Sequence, residues 1–167
     1  MIVTPEMVRE WGGTCGGVAW FEKQYPKGVE ITAENVRRCP STYYNKLWLL
    51  KQVAARAKDA SAQVAVDMLV ELAEPQDAGW LANVVCGCSN LDTDAALARV
   101  LAEGDRESLM QVVEKAPVKD AELAARELVK ESNPATLAYI ESAWPQDRRA
   151  LVDDAKRKTE REVSRGL

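Results

Sequence analysis

Apolar residues recur along most of the chain at separations of three and four positions, which places them on one face of an α-helix. No long stretch alternates strictly between apolar and polar residues, as a half-buried strand would. The pattern therefore predicts an all-α fold. Residues that favour helix N-termini precede many of the apolar segments: Thr4, Thr14, Thr32, Ser61, Asp77, Asp92, Asp105 and Asn133. The expected helices lie near residues 5–11, 15–25, 33–38, 43–57, 62–73, 78–87, 93–103, 106–115, 119–131, 134–143 and 146–163.

Part of this pattern repeats every 28 residues. Asp77, Asp105 and Asn133 each precede a helix with apolar residues four and seven positions later. Aligning the segments gives five apolar columns: Leu81, Leu109 and Leu137; Val84, Val112 and Ile140; Leu69, Leu97 and Ala125; Leu72, Val100 and Leu128; Ala73, Leu101 and Val129. The repetition predicts a short α-solenoid of three helical hairpins, each burying its apolar face against the next. A helical bundle is the alternative, because leucine and valine at helical spacing are common in any bundle.

The hairpins at residues 62–143 resemble short HEAT-like helical repeats, with a period of 28 residues instead of about 40. We expect three parts: an N-terminal helical cap subdomain at 1–60, three hairpin repeats at 61–145 and a long charged capping helix at 146–167. The alternating charges of the last helix favour a solvated closing helix. If that helix instead binds a partner or forms a coiled coil, its seam is Leu151, Val152, Ala155, Thr159 and Val163.

Charge and composition limit the classes of function. The chain has 22 Lys and Arg against 26 Asp and Glu, a net charge of −4. Duplex binding needs a basic face, so this balance argues against nucleic acid. No apolar run reaches the ~18 residues that span a bilayer, and the first residues lack the order of a signal peptide. We therefore expect a cytoplasmic protein that does not contact a membrane.

The chain contains no histidine. Its absence removes Ser-His and Cys-His nucleophile pairs, imidazole acid–base chemistry and nearly all catalytic zinc sites. We therefore expect a protein that is not an enzyme and that holds no metal or cofactor. An enzyme that uses carboxylates, or Cys15 as its nucleophile, stays an alternative.

The stretch WGGTCGG at residues 11–17 is rich in glycine, as phosphate-binding loops are. Val18 stands where a P-loop requires lysine, and no strand precedes the stretch. We instead expect its first two glycines to end the first helix, Thr14 to cap the second, and Gly16 and Gly17 to allow close approach between helices.

The four cysteines are spaced too irregularly for a disulfide framework, and reduced thiols suit the cytosol. Cys15, in the first turn of a helix, is interpreted as a small buried residue. The repeat register predicts that Cys86 is exposed and that Cys88 is more protected. Convergence of these three with Cys39 on one zinc stays an alternative.

The same register indicates residues for binding a partner. Trp80 shares a column with Ser108 and Thr136, so it is expected to be an aromatic anchor exposed among small polar residues. Tyr139 is the corresponding anchor in the next polar column. The complete predicted set is Trp80, Asn83 and Tyr139 as contact residues, with Arg99, Arg126 and Glu127 as rim charges. Alternatively, Trp80 packs against the N-terminal block.

One segment resembles a short helix-turn module of uncharacterised bacteriophage and prophage proteins. The resemblance is carried by Cys15-x-x-Val18-x-Trp20-Phe21 and Tyr25-Pro26-x-Gly28-Val29-x-Ile31-Thr32. It implies a phage origin and transfers no catalytic residue.

These observations lead to a hypothesis of a non-catalytic protein that binds another protein, as a monomer or homodimer. In one version it is a phage-encoded inhibitor of a bacterial defence system, similar to an anti-CRISPR, that occupies an effector surface. The alternatives are the enzyme that uses Cys15 and a nucleic-acid-binding helical-repeat protein. The latter would use the basic residues of the last helix: Arg148, Arg149, Lys156, Arg157, Lys158 and Arg161.

Overall fold

The computed structural model describes residues 1–131 and 133–165, and this part of the chain is all-α, as predicted. The described helices are α1 (Pro5–Glu10), α2 (Cys15–Gln24), α3 (Ala33–Arg38), α4 (Tyr43–Arg56), α5 (Ser61–Leu72), α6 (Ala78–Gly87), α7 (Asp94–Glu103), α8 (Arg106–Lys115), α9 (Val118–Glu131), α10 (Pro134–Ala143) and α11 (Gln146–Ser164). Each predicted helix is found within one residue of its expected bounds.

Five of the expected N-caps are confirmed, because each side chain accepts a hydrogen bond from the backbone N–H three residues later. These caps are Thr4, Thr14, Thr32, Asp105 and Asn133. Asp77 is also the N-cap residue of α6, as expected, although its side chain makes no capping hydrogen bond to that helix. The other two expectations were wrong. Ser61 is the first residue of α5, and α7 follows Thr93 rather than Asp92. Asp77 accepts a bond from the Glu74 N–H and so closes a single 3-10 turn, Pro75–Asp77, that leads into α6.

A short strand pair was not predicted. β1 (Ile2–Val3) and β2 (Val29–Glu30) pair antiparallel, with Val3 opposite Val29. Gly28 precedes β2 with a φ of +82°, and a Cβ there would lie 2.7 Å from the Val3 carbonyl oxygen. This position therefore requires glycine, both for its backbone conformation and for the space that it leaves.

The glycines after α1 end that helix, as expected. Gly12 has a φ of +85°, its N–H bonds the Arg9 carbonyl, and the Gly13 N–H bonds the Val8 carbonyl, which is a Schellman cap. The expected close approach at Gly16 and Gly17 was wrong. A Cβ at Gly16 would meet no atom within 4 Å, and one at Gly17 would meet only its own cap, Thr14. The close approach occurs at Gly13, where a Cβ would lie 2.9 Å from Val8 Cγ1 and 3.2 Å from Val18 Cγ2.

The described helices form two compact units. The first comprises residues 1–73 and 90–92, and the second comprises residues 74–89 and 93–165. In the first unit, α4 packs along α5, and the core is built from fully buried side chains such as Leu47, Leu50 and Leu69.

In the second unit, α6 packs on α7 and α8, α8 and α7 both pack on α9, and α9 packs on α11. The contacts of α6 with α8 and of α7 with α9 join helices that lie one 28-residue step apart. The predicted apolar columns include residues of both units, and most of these residues are buried, including all of Val84, Val112 and Ile140 and all of Leu69, Leu97 and Ala125. Leu72, Leu101, Val129 and Leu137 are half-buried. The solenoid that includes all three hairpins and the N-terminal cap stays a prediction.

The predicted boundaries at residues 60 and 145 also stay predictions. Residue 132 of the predicted repeats and residues 166–167 of the predicted capping helix lie outside the described part of the chain. Within the described part, no helix combines the length and apolar character that a membrane crossing requires.

Candidate protein-binding groove

An open groove of about 720 Å³ runs between the N-terminal halves of α8 and α10, in the second unit. Its lining combines carboxylate, guanidinium, amide, thioether and aromatic groups. The lining residues are Asp105, Arg106, Glu107, Met110, Asn133, Ala135, Thr136 and Tyr139.

The floor of the groove is a hydrogen-bonded set of side chains. Arg106 donates from a terminal guanidinium nitrogen to Thr136 Oγ1 at 2.9 Å, which links α8 to α10. Thr136 Oγ1 in turn donates to Asn133 Oδ1 at 3.2 Å, and the Thr136 N–H donates to the same oxygen at 2.9 Å. Because Thr136 is only 7% exposed, these bonds hold the floor in one arrangement.

Tyr139 is the aromatic residue of the groove lining. Its side chain is 55% exposed, which is unusual for a large aromatic residue, and Met110 is half-buried nearby in the lining. Ala135 and Ala138 are also exposed on α10. An exposed tyrosine among small apolar residues is the kind of surface that other proteins contact, because its ring contributes a large contact area with little conformational entropy to lose.

The interpretation of the Trp80 column was wrong. Ser108 and Thr136, which share the column, are 3% and 7% exposed, so the column does not face water. Ser108 and Thr136 stand three residues after their caps, where the first turn of the helix faces the protein interior. Trp80 is itself half-buried, and Asn83 donates from its side chain to the Gly79 carbonyl of its own helix at 2.7 Å. Neither residue lines the groove.

The three predicted rim charges lie elsewhere in the second unit. Arg99 forms an ion pair with Glu103 one turn later in α7. Arg126 and Glu127 do come together, and Glu127 pairs with Lys130 at 2.8 Å. Both line a second, smaller cavity of about 210 Å³ beside α9 and α11. Its lining is Leu101, Leu123, Arg126, Glu127, Lys130, Lys158, Thr159 and Glu162, and it shares no residue with the groove.

Of the predicted contact residues, only Tyr139 belongs to the groove, while Arg106, Met110 and Thr136 were missed. A signal for the missed residues was present in the sequence. Asp105 and Asn133 are N-caps at the same position of successive repeats, so the two first turns come side by side wherever the repeats stack.

The thiols differ in their surroundings. Cys15 is exposed, which overturns the expectation of a buried residue, because the first turn of α2 lies in open space. Cys88 is 3% exposed, as expected. Cys86 was expected to be exposed but is half-buried, and its Sγ donates to the Gln111 carbonyl oxygen at 3.5 Å. Burial raises the pKa of the Cys86 thiol to about 11.

Cys39 is half-buried beside Tyr25, and burial, followed by the hydrogen bond with Cys39, raises the pKa of the Tyr25 hydroxyl to about 12. Within residues 1–131 and 133–165, no three Cys, Asp or Glu side chains come together in a group that could hold a metal ion.

Most basic side chains of α11 already have partners in the protein. Lys156 pairs with Glu141, and Arg157 and Lys158 both pair with Asp154. Arg148 and Arg149 donate to backbone carbonyls. Phosphate contacts would have to compete with these bonds.

No protein-family model matches this sequence, and no curated protein and no solved structure is significantly similar to it.

Proposed function

We propose that this chain is a non-catalytic protein whose task is to bind another protein through the groove between α8 and α10. The observation that carries the proposal is the exposed ring of Tyr139, which lies in an open groove whose polar floor is already hydrogen-bonded. A floor that is satisfied before binding leaves the aromatic ring and the groove rim to make the new contacts.

The shape of the groove favours a segment of protein over a small molecule. Small-molecule sites are concave and bury most of the ligand surface. This groove is open between two helices, which matches the way in which an amphipathic helix lies in a helical groove.

The test is a comparison of two tyrosine variants of the full chain as bait in bacterial lysates. Tyr139→Ala removes the proposed anchor, and Tyr44→Ala removes a tyrosine of similar exposure, 61%, from the first unit. A partner that binds through the groove is retained by Tyr44→Ala and bound about 30-fold more weakly by Tyr139→Ala, since an interface hot spot is worth roughly 2 kcal/mol. A partner that is lost equally from both variants, or from neither, contradicts the proposal.

In the more specific version, the partner is an effector of a bacterial defence system and the chain is a phage-encoded inhibitor. The resemblance of residues 15–32 to phage modules supports this version. Expression of the chain in bacteria with an active CRISPR system is expected to restore plating of a targeted phage, and Tyr139→Ala is expected to abolish the effect. Unchanged plating across several defence systems would contradict the inhibitor and leave the binding proposal to the lysate experiment.

The two other classes have weaker support. A thiol enzyme would have to use Cys15, and it is contradicted if iodoacetamide alkylates Cys15 no faster than it alkylates a small thiol. A nucleic-acid binder would have to use α11, whose basic side chains are mostly paired, and it is contradicted if the chain shows no salt-sensitive binding to DNA or RNA.

A further inference from the structure

We infer that the segment that fills the α8–α10 groove is cationic, an amphipathic helix that presents Lys or Arg next to its apolar residues. This inference rests on the proposed function and adds the chemistry of the partner.

The first support is the distribution of charge. The second unit, with α11 included, contains 13 Lys and Arg against 17 Asp and Glu, whereas the first unit contains 9 of each, so the second unit carries the whole net charge of −4. A surface with that excess of carboxylates has a negative potential, which accelerates encounter with cations and repels anions.

The second support is the arrangement of charge within the groove. Asp105, Arg106 and Glu107 are all exposed, and the guanidinium of Arg106 is bonded to Thr136, so two carboxylates lie beside one guanidinium that already has a partner. The rim that a partner meets is therefore acidic. The Asp105 carboxylate also occupies the N-terminal end of α8, where a phosphate or sulfate would otherwise bind, because it already accepts the Ser108 N–H at 2.8 Å.

The third support is the Tyr139 ring. A lysine or arginine near an exposed aromatic face gains a cation–π attraction in addition to the attraction of nearby carboxylates. Tyr139, Met110 and Ala135 offer the apolar contact that the remaining residues of an amphipathic helix need. An extended peptide would gain most from a free strand edge, and the groove walls are helices.

The test uses two synthetic helical peptides of about 14 residues. One has leucine on one face and lysine on the other, and its counterpart has glutamate in place of lysine. Binding to the full chain is measured by fluorescence anisotropy at about 50 and about 300 mM NaCl, because screening weakens contacts with exposed charges. We expect the leucine–lysine peptide to bind, more weakly at high salt, and the leucine–glutamate peptide not to bind.

Two double variants locate the binding. Asp105→Asn with Glu107→Gln removes the two carboxylates of the groove but keeps the α8 cap, since asparagine caps a helix as well as aspartate. Glu10→Gln with Glu30→Gln makes the same change in net charge at exposed positions of the first unit. The rim variant is expected to bind the leucine–lysine peptide about tenfold more weakly at low salt, with a smaller salt dependence, while the first-unit variant binds like the original chain. Tyr139→Ala is expected to lose binding at both salt concentrations.

The possible failures are distinguishable. If both double variants bind the leucine–lysine peptide equally weakly, the peptide is attracted only by the net charge of the chain, and the inference is overturned. Preference for the leucine–glutamate peptide, or a lysate partner that needs Tyr139 while neither peptide binds, overturns the cationic chemistry and leaves the binding function standing. Concentration-dependent dimers that Tyr139→Ala dissociates, seen by sedimentation, show that a second copy occupies the groove and also overturn the inference.

Discussion

At the scale of single residues, the Cys86 thiol is held by a hydrogen bond to the Gln111 carbonyl, and burial raises its pKa from an ordinary 9.0 to about 11. The thiolate is the reactive form, so this shift lowers the reactive fraction near neutral pH by roughly a hundredfold. We expect iodoacetamide to alkylate Cys86 at least about 100-fold more slowly than the exposed Cys15. Mass spectrometry of peptides from the native protein measures both rates. In guanidinium chloride the two rates should become similar, and similar rates in the native protein would contradict the prediction.

A second residue-scale prediction concerns the pair that joins α3 to α5. Arg37 donates to both carboxylate oxygens of Glu71, at 2.8 and 2.6 Å, and these bonds lower the pKa of Glu71. A carboxyl whose pKa is lower in the folded state stabilises the fold above its unfolded pKa, about 4.3, and this contribution is lost as the pH falls through the folded pKa. Glu71→Gln should therefore melt at a lower temperature than the original chain near pH 7, and the gap should close toward about pH 3. A gap in Tm that is constant with pH would mean that the carboxylate charge contributes nothing.

At the scale of elements, α8 ends at a cationic side chain from α11. Arg148 donates to the carbonyls of Val113 and Ala116 at 3.2 and 3.0 Å, and so satisfies acceptors that lack partners in the helix. Arg148→Met should lower the free energy of unfolding by about 1.5–3 kcal/mol, the usual value of hydrogen bonds to a charged group. Urea denaturation measures this change. Arg157→Met is the control on the same helix, because that side chain is 63% exposed. An equal loss in both variants would show that charge alone, and not the cap, is responsible.

Elements such as α8 could be predicted because their signals are local. The cap of α8, Asp105, directly precedes the apolar residues of the same helix, so both signals lie in one short segment of the sequence. Asn133 caps α10 in the same way. The strand pair of Val3 with Val29 was missed because it joins positions far apart, each strand only two residues long. The burial of the Trp80 column was not predicted for a related reason. Whether Ser108 faces water depends on which helices pack against its turn, and the sequence of one helix does not show this. The exposure of Tyr139 was predicted correctly from its polar column, and its role as a contact residue stays a prediction.

At the scale of the whole molecule, the stacking of the repeats can be tested with two leucines of one column. Leu109 is 1% exposed in α8, and Leu137 is half-buried in α10. Leu109→Ala should cost about 2–5 kcal/mol, the usual range for a leucine in a core, and Leu137→Ala should cost clearly less, because a half-buried side chain leaves less apolar surface to lose.

Which helices the substitution destabilises is more informative than how much stability it costs. In a stack of repeats, stability is a sum of repeat and nearest-neighbour terms, so a lesion in α8 should reach the helices that pack on it before it reaches others. Hydrogen exchange of Leu109→Ala should therefore show the largest loss of protection in α8 itself, and then in α6 and α9, both of which contact α8. Leu137→Ala should confine its effect to α10 and its immediate contacts. A uniform loss of protection across the described helices of the second unit would instead indicate one cooperative bundle, and the 28-residue period would then reflect similar helix lengths and not a stack.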